Sequence, residues 1–231
     1  MSLRERLADV RERIATAARN AGRDPGSVRL LAVSKGHPAA AVREAFEAGQ
    51  RDFGENYVQE WLEKREALSD LPIVWHVIGH LQRNKAKHVA EHAAYVHSID
   101  SVELARELGK RRAAFTDKER LRALVEVNIA GEAQRGGVAP DQLAGVLEAV
   151  QAEPALSLVG LMCIPPLDDS VEASRAPFDA LSWLRDAHGG AARLPELSMG
   201  MTHDYEAAIA AGSTWVRVGT AIFGARPLRS G

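Results

Sequence analysis

The sequence has few of the features that stabilise very small, secreted or membrane-embedded proteins. Its 231 residues include one cysteine, Cys163, which excludes an internal disulfide. The formal net charge is −2, which gives no electrostatic case for binding nucleic acid or an anionic membrane. No apolar run approaches the ~20 residues that cross a bilayer. The N-terminus alternates basic and acidic residues and lacks the apolar core of a signal peptide. We therefore expect a soluble, cytoplasmic protein.

The chain does contain a series of short apolar runs separated by segments with helical spacing. Hydrophobic residues make up 46% of it, enough for a sizeable core. The runs predict eight strands: Val28–Ser34, Asp52–Gly54, Ile73–Gly79, Ala94–Ile99, Leu121–Ile129, Leu156–Ile164, Leu194–Ser198 and Thr214–Gly219. Helices are predicted over Ser2–Ala21, Ala39–Gly49, Tyr57–Leu68, Asn84–His92, Val102–Phe115, Pro140–Gln151, Val171–Ala187 and Tyr205–Ala211.

Strands that alternate with helices favour a parallel sheet built from crossover units, and eight such units close as a (β/α)₈ TIM barrel. The segment Ser2–Ala21 would then be an extra N-terminal helix. The alternative, an open doubly wound sheet, would carry a glycine-rich first turn with an acidic residue about 20 positions on. The first turn here reads S-K-G-H-P. We expect one domain over residues 1–231, because no low-complexity linker divides the chain, with Gly189–Gly190 in a loop.

Lys35 ends the first predicted strand, V-R-L-L-A-V-S-K, which would bring its amine to the mouth of the barrel. Active sites of such barrels lie at the strands' carboxyl ends, and phosphate groups often bind after strands seven and eight. There the chain has Ser198, Gly200, Gly219 and Thr220. An amine beside a phosphate cradle suits a Schiff base with pyridoxal phosphate, and it equally suits an aldolase acting on a phosphorylated sugar.

Arg217 interrupts the apolar run T-W-V-R-V-G of the eighth predicted strand. A charged residue in such a run is seldom buried without a partner. Its side chain therefore either points outward beneath a helix or points inward and contacts a ligand.

The residue sequences of the motifs distinguish the pyridoxal phosphate alternative from the aldolase alternative. The segments are L-L-A-V-S-K, F-G-E-N-Y-V-Q-E, W-H-V-I-G-H-L-Q-R-N-K, V-N-I-A-G-E, G-L-M-C-I-P, L-S-M-G-M-T-H-D and A-A-G-S-T-W-V-R-V-G-T-A-I-F-G. In this order, from Leu30 to Gly224, they closely resemble the pyridoxal phosphate homeostasis proteins, a family similar in fold to the barrel domain of alanine racemase.

The resemblance implies a cofactor, pyridoxal 5′-phosphate (PLP), held as a Schiff base on Lys35. Arg217 would face the pyridine nitrogen, and the phosphate would lie at the strand-seven and strand-eight loops. His76 and Asn84 belong to a family motif of unassigned role. The implied cofactor-binding residues are Lys35, Asn56, Ser198, Gly200, Arg217, Gly219 and Thr220.

Three positions depart from the family pattern. Arg135 stands where the family commonly has lysine, so a second Schiff-base lysine is not expected there. His80 replaces a usual proline, and Thr202 replaces a usual serine while keeping the hydroxyl.

The resemblance implies a carrier or regulator of intracellular PLP supply, without robust catalysis, that passes the cofactor to PLP-dependent apo-enzymes. A cation against the ring nitrogen disfavours its protonation and so weakens the ring as an electron sink. The rival is a minimal amino-acid racemase, which would need a second acid–base group that alanine racemase takes from an additional domain. No such domain is expected before the chain ends at Gly231. We also expect a monomer and no metal site.

Overall fold

Eight parallel strands form a closed barrel in the sequential order β1 to β8, which confirms the predicted fold. The computed structural model describes residues 1–132, 134–166 and 171–225, and only the backbone of 171–174. β1 closes the barrel by pairing with β8, where Leu31 lies opposite Arg217. The strands are β1 (Arg29–Val33), β2 (Asp52–Glu55), β3 (Val74–Val77), β4 (Tyr95–Ile99), β5 (Leu121–Glu126), β6 (Leu156–Met162), β7 (Glu196–Ser198) and β8 (Trp215–Val218).

Helices surround the barrel: α1 (Leu3–Asn20), α2 (Ala39–Glu47), α3 (Val58–Ala67), α4 (Ala86–His92), α5 (Val102–Arg112), α6 (Leu143–Ala152), α7 (Val171–Ala187), α8 (Gly190–Arg193), α9 (Tyr205–Ala210) and α10 (Thr220–Phe223). The extra N-terminal helix is α1, which packs on α2, α9 and α10. Its start is fixed by a capping box, because Ser2 and Glu5 each accept the other's backbone N–H. None of the helices in the described ranges is long and apolar enough to cross a membrane.

The apolar strands bury both of their faces, as parallel strands must when helices cover them. One layer packs between strands and helices, and a second fills the barrel interior. The interior layer consists of Leu31, Val33, Ile78, Tyr95, Leu124, Met162 and Trp215. The helices thus cover the sides of the barrel, and the site lies at the carboxyl ends of the strands.

Element boundaries differ from the sequence predictions at several places. β5 ends at Glu126 rather than Ile129, because Val127 turns to form an isolated bridge with Val138. The predicted helix from Asn84 opens with a tight 3₁₀ turn, and α4 begins at Ala86. The expected loop at Gly189–Gly190 was wrong in part, since Gly190–Arg193 forms the short helix α8.

We expect Gly160→Ala to be strongly destabilising. Gly160 in β6 lies opposite Glu196 of β7, and an added Cβ would stand 1.8 Å from the Glu196 carbonyl oxygen. Because that atom is backbone, the two strands would have to part, at a cost of about 3 kcal/mol or more. The control is Gly145→Ala at an exposed position of α6, where an added Cβ meets nothing within 4 Å. That change should stabilise by ~0.5–1 kcal/mol. Urea unfolding measures both, and equal effects would contradict the prediction.

Candidate functional site

A cavity of about 260 Å³ opens at the carboxyl ends of the strands. Its wall combines one amine, one guanidinium, two imidazoles, two threonine hydroxyls and an apolar surface. The lining residues are Val33, Lys35, His37, Asn56, Ile78, Ile164, Met201, Thr202, His203, Arg217, Gly219 and Thr220. The volume lies just below the roughly 300–1,000 Å³ typical of small-molecule sites.

Lys35 stands in the tight turn that follows β1. The turn is closed by a hydrogen bond from the His37 amide to the Ser34 carbonyl (3.0 Å). Gly36 adopts φ +76°, a left-handed conformation that favours glycine. The buried ring of His37 stacks on Phe223 of α10, with 5.2 Å between the ring centroids. The Lys35 turn is thereby joined to the last described helix.

A buried ion cluster of Glu55, Glu60 and Lys64 fixes the backbone on both sides of Lys35. The Lys64 Nζ donates to the Ser34 carbonyl (2.7 Å) and to Glu55 Oε1 (2.6 Å), and it pairs with Glu60 Oε1 at 2.6 Å. Glu60 Oε1 also accepts the amide N–H that directly follows Lys35 (2.6 Å). Helix α3 therefore holds the lysine turn through charge-assisted hydrogen bonds.

Burial raises the pKa of Glu55, against the opposing influence of the Lys64 ammonium. The Glu55 Oε1 atom accepts from both Lys64 and the Ser34 hydroxyl. Its second oxygen, Oε2, is buried without a hydrogen-bond partner among the described residues. The Lys64 ammonium is therefore needed to offset the burial of this carboxylate.

Arg217 points inward from β8 and is 5% exposed, which decides between the two orientations left open by the sequence. Its guanidinium donates to the Ser198 carbonyl (2.6 Å), the Ser198 hydroxyl (2.9 Å) and the Cys163 carbonyl (2.9 Å). Burial lowers the pKa of Arg217 from its usual value. An arginine stays charged over the physiological range, so the cavity wall carries a fixed cation.

Small residues and hydroxyls lie on the wall between Lys35 and Arg217. Gly219 approaches β1 so closely that a Cβ there would stand 3.0 Å from the Val33 carbonyl. Its neighbour Thr220 begins α10, and Thr202 lies in the loop between β7 and α9. These residues give one side of the cavity two hydroxyls and accessible backbone.

Five of the seven predicted cofactor-binding residues line this cavity: Lys35, Asn56, Arg217, Gly219 and Thr220. Ser198 and Gly200 are not among the lining residues. The Ser198 hydroxyl contacts His97 and Arg217 inside the barrel. Gly200, at φ +93°, packs against α9, where a Cβ would stand 2.6 Å from that of Ala208.

The sequence interpretation missed His37, Ile78, Met201 and His203, which also line the cavity. Each lies within two residues of a quoted motif or of a predicted strand end, which was the available signal. His76, whose role the sequence left unassigned, lies inside the barrel, with Nε2 3.1 Å from Asp52 Oδ1. Asn84 lies in the 3₁₀ turn before α4.

Two of the three residues that depart from the family pattern, Arg135 and His80, lie outside the cavity lining, whereas Thr202 belongs to it. Arg135 pairs with Glu132 and donates to the carbonyls of Ile164 (3.2 Å) and Pro165 (2.6 Å). His80 is exposed, and its Nδ1 lies 3.3 Å from Asp100. Arg135 therefore braces the loop that contributes Ile164 to the cavity wall.

Comparisons with known proteins identify the family of this chain. Residues 6–227 match the family described as alanine racemase, N-terminal domain. A pyridoxal phosphate homeostasis protein of Pseudomonas aeruginosa is 50% identical over 226 residues, which cover 97% of this chain and 96% of that one. The chain belongs to the pyridoxal phosphate homeostasis protein family.

Two solved structures of PipY from Synechococcus elongatus are 39% identical to the chain, covering 96% of it and all of PipY. The form without PLP has a TM-score of 0.85 and the form with PLP bound 0.82. Alanine racemase of Streptomyces coelicolor (21% identity, TM-score 0.71) shares the fold over 98% of this chain and 60% of that chain.

Lys64→Met should cost ~3–5 kcal/mol, because it leaves the buried Glu55 carboxylate without its counter-charge. The control is Arg43→Met, which breaks the exposed Arg43–Asp70 pair (2.7 Å) and should cost at most about 1 kcal/mol. Chemical unfolding of both variants measures the difference. Similar losses would show that the Lys64 cluster contributes no more than a surface ion pair.

Glu126, the last residue of β5, should make stability depend on pH. Burial raises its pKa to about 7, although Arg217 opposes the shift. The folded state then binds this proton more tightly than the unfolded state. The resulting stabilisation is full below about pH 4.5 and is lost, by up to ~3 kcal/mol, as pH rises through about 7. Chemical unfolding at several pH values should show that the free energy of unfolding of Glu126→Gln increases relative to that of wild type as pH rises from about 4.5 to about 7. A pH-independent difference would contradict the assignment.

Proposed function

We propose that this chain binds PLP covalently on Lys35 and acts as a carrier or regulator of PLP supply, without robust catalysis. The observation that carries the proposal is one cavity that brings together the Lys35 amine, the Arg217 cation and two threonine hydroxyls. PipY, a relative of equal extent, has been solved with PLP bound. The recipients would be PLP-dependent apo-enzymes.

The lining residues fit the chemistry of PLP. When bound, PLP supplies an aldehyde and a conjugated ring that can withdraw electrons. The Lys35 amine would condense with the aldehyde, forming a C=N bond to Nζ while the aldehyde oxygen leaves as water. Arg217 would face the ring nitrogen, and the Asn56 side chain would lie near the ring. Apolar Val33, Ile78 and Ile164 provide surface for its faces.

The phosphate would bind Thr202, Thr220 and the backbone at Gly219. We favour Thr202 over Ser198 for this role, because the Ser198 hydroxyl already contacts two buried side chains. Hydroxyls and backbone amides are the usual neutral donors to phosphate groups. The Gly200 backbone would act by allowing the tight turn that presents Thr202.

A carrier is favoured over a racemase by the groups at the cavity. Arg217 keeps a positive charge where the ring nitrogen would lie, which disfavours protonation of that nitrogen. None of the tyrosines, which the described ranges include in full, lines the cavity: Tyr57 is exposed, Tyr95 is in the barrel interior and Tyr205 is buried under α1. A racemase that used tyrosine as its second acid–base group would need one opposite the lysine.

The test is the absorption spectrum of purified protein mixed with PLP, before and after borohydride, with peptide mapping of the label. We expect a band in the near-visible range that collapses on reduction and leaves a pyridoxyl group on Lys35. Lys35→Ala should lose the band and the label, whereas the exposed Lys87→Ala should keep both. A label elsewhere, or none, would overturn the proposal.

Thr202→Val in the same assay should weaken PLP binding roughly tenfold, because one hydrogen bond to a charged group is lost. Thr116→Val, at an exposed position, is the control. Exchange of an amino acid's α-proton with heavy water, faster than with free PLP, would favour the racemase instead.

A further inference from the structure

A continuous line of buried polar side chains crosses the barrel interior and ends at Arg217. Asp52 Oδ1 lies 3.1 Å from His76 Nε2, and His76 Nδ1 lies 3.0 Å from His97 Nε2. His97 Nδ1 lies 2.9 Å from the Ser198 hydroxyl, which accepts from Arg217 Nη1 at 2.9 Å. We call these five residues the buried relay. Only Asp52 has appreciable side-chain exposure, 30%, and it opens β2 at the opposite end of the barrel from the cavity.

When both imidazoles are neutral, the chemistry of the two ends fixes the direction of every hydrogen bond in the relay. A guanidinium can only donate, and an ionised carboxylate can only accept. His76 must therefore donate from Nε2 to Asp52, which leaves Nδ1 to accept from His97 Nε2. His97 Nδ1 then accepts the Ser198 proton, and the Ser198 lone pairs face Arg217.

Both histidines are neutral in this arrangement, as each uses one ring nitrogen as an acceptor. Burial lowers the pKa of His76, and it lowers the pKa of His97 well below 6.5, so the neutral forms are favoured. Aromatic neighbours hold the rings in place. His76 stacks on Tyr95 at 4.2 Å with an interplanar angle of 5°, and Trp215 meets it edge-on at 5.0 Å.

Ser198 is the one side chain to which Arg217 donates within the described part of the chain; its other two acceptors are backbone carbonyls. We propose that Asp52, His76 and His97 are positioning residues that hold Ser198 as an acceptor and thereby fix the Arg217 guanidinium at the cavity wall. One part of the inference rests on the proposed function: if PLP binds here, the fixed guanidinium would determine the electrostatic environment of the PLP ring nitrogen.

Asp52→Asn tests the relay without altering the cavity, because Asp52 is not among its lining residues. Asparagine is isosteric but can donate as well as accept, so the direction of the relay is no longer enforced. In the cofactor-free protein, ¹⁵N NMR should show both histidines as the single Nε2–H tautomer in wild type and as a mixture in Asp52→Asn. The Arg217 side-chain signals should shift as well.

The second readout is PLP affinity. Loss of the enforced acceptor at Ser198 should weaken binding roughly fivefold in Asp52→Asn, and the absorption maximum of the bound cofactor should shift. Ser198→Ala should weaken it at least as much, and the double variant should be no weaker than Ser198→Ala alone, since both changes act through one hydrogen bond. The matched control is Asp70→Asn on the exposed Arg43–Asp70 pair, which should leave affinity unchanged.

Three results would overturn the inference: unchanged histidine tautomers, unchanged PLP affinity in Asp52→Asn, or effects of the two single variants that multiply. A loss confined to Ser198→Ala would instead mean that Ser198 contacts the phosphate directly. If wild type takes up no PLP, the proposed function fails, while the NMR comparison still decides whether Asp52 directs the relay and shifts Arg217.

Discussion

The buried guanidinium of Arg217 determines which polar groups must lie in the interior of this barrel. A cation far from water is tolerated only where acceptors surround it. The ends of β6 and β7 supply two carbonyls, from Cys163 and Ser198, and the Ser198 hydroxyl supplies a third acceptor. His97, His76 and Asp52, polar residues that are unusual in a barrel interior, continue the hydrogen-bonded line from this serine. Because the surroundings are dry, each of these hydrogen bonds is stronger than it would be in water.

Lys35 is supported in a different way, from outside the barrel. Charged side chains of α3 bind the backbone before and after it, and His37 packs on α10. The amine itself remains on the cavity wall while its flanking peptide groups are immobilised. Ordering of the site is thus largely complete in the folded chain, which reduces the entropy that a ligand must offset on binding.

Much of the fold could be predicted because each strand of a parallel barrel is buried on both faces and therefore forms an apolar run. Lys35 and Arg217 stood out because they are charges placed in or at the end of such runs. Strand ends were less certain, as at Val127, whose bridge to Val138 depends on a long-range pairing. Local sequence carries no signal for that partner.

The buried relay could not be predicted from the sequence. His76 and His97 are 21 residues apart, and each reads as a lone histidine in an apolar strand. Their contact depends on the register between β3 and β4. In that register His76 lies opposite Tyr95, and His97 follows two residues further along β4. Ser198 was expected at the cavity because it ends a strand. Its side chain instead points into the core, where the hydroxyl contacts His97 and Arg217, and local sequence carries no signal for that direction.

The pairing of β1 with β8 joins the two strands that are furthest apart in the sequence. Lys35 follows the first of these strands, and Arg217, Gly219 and Thr220 belong to or follow the last. The cavity therefore exists only once the final strand has docked beside the first, and a partly synthesised or partly folded chain would lack it. A contact of such high sequence separation forms late and slowly. The set of lining residues is therefore complete only in molecules whose barrel has closed, so that uptake of a ligand at this cavity would report completed folding.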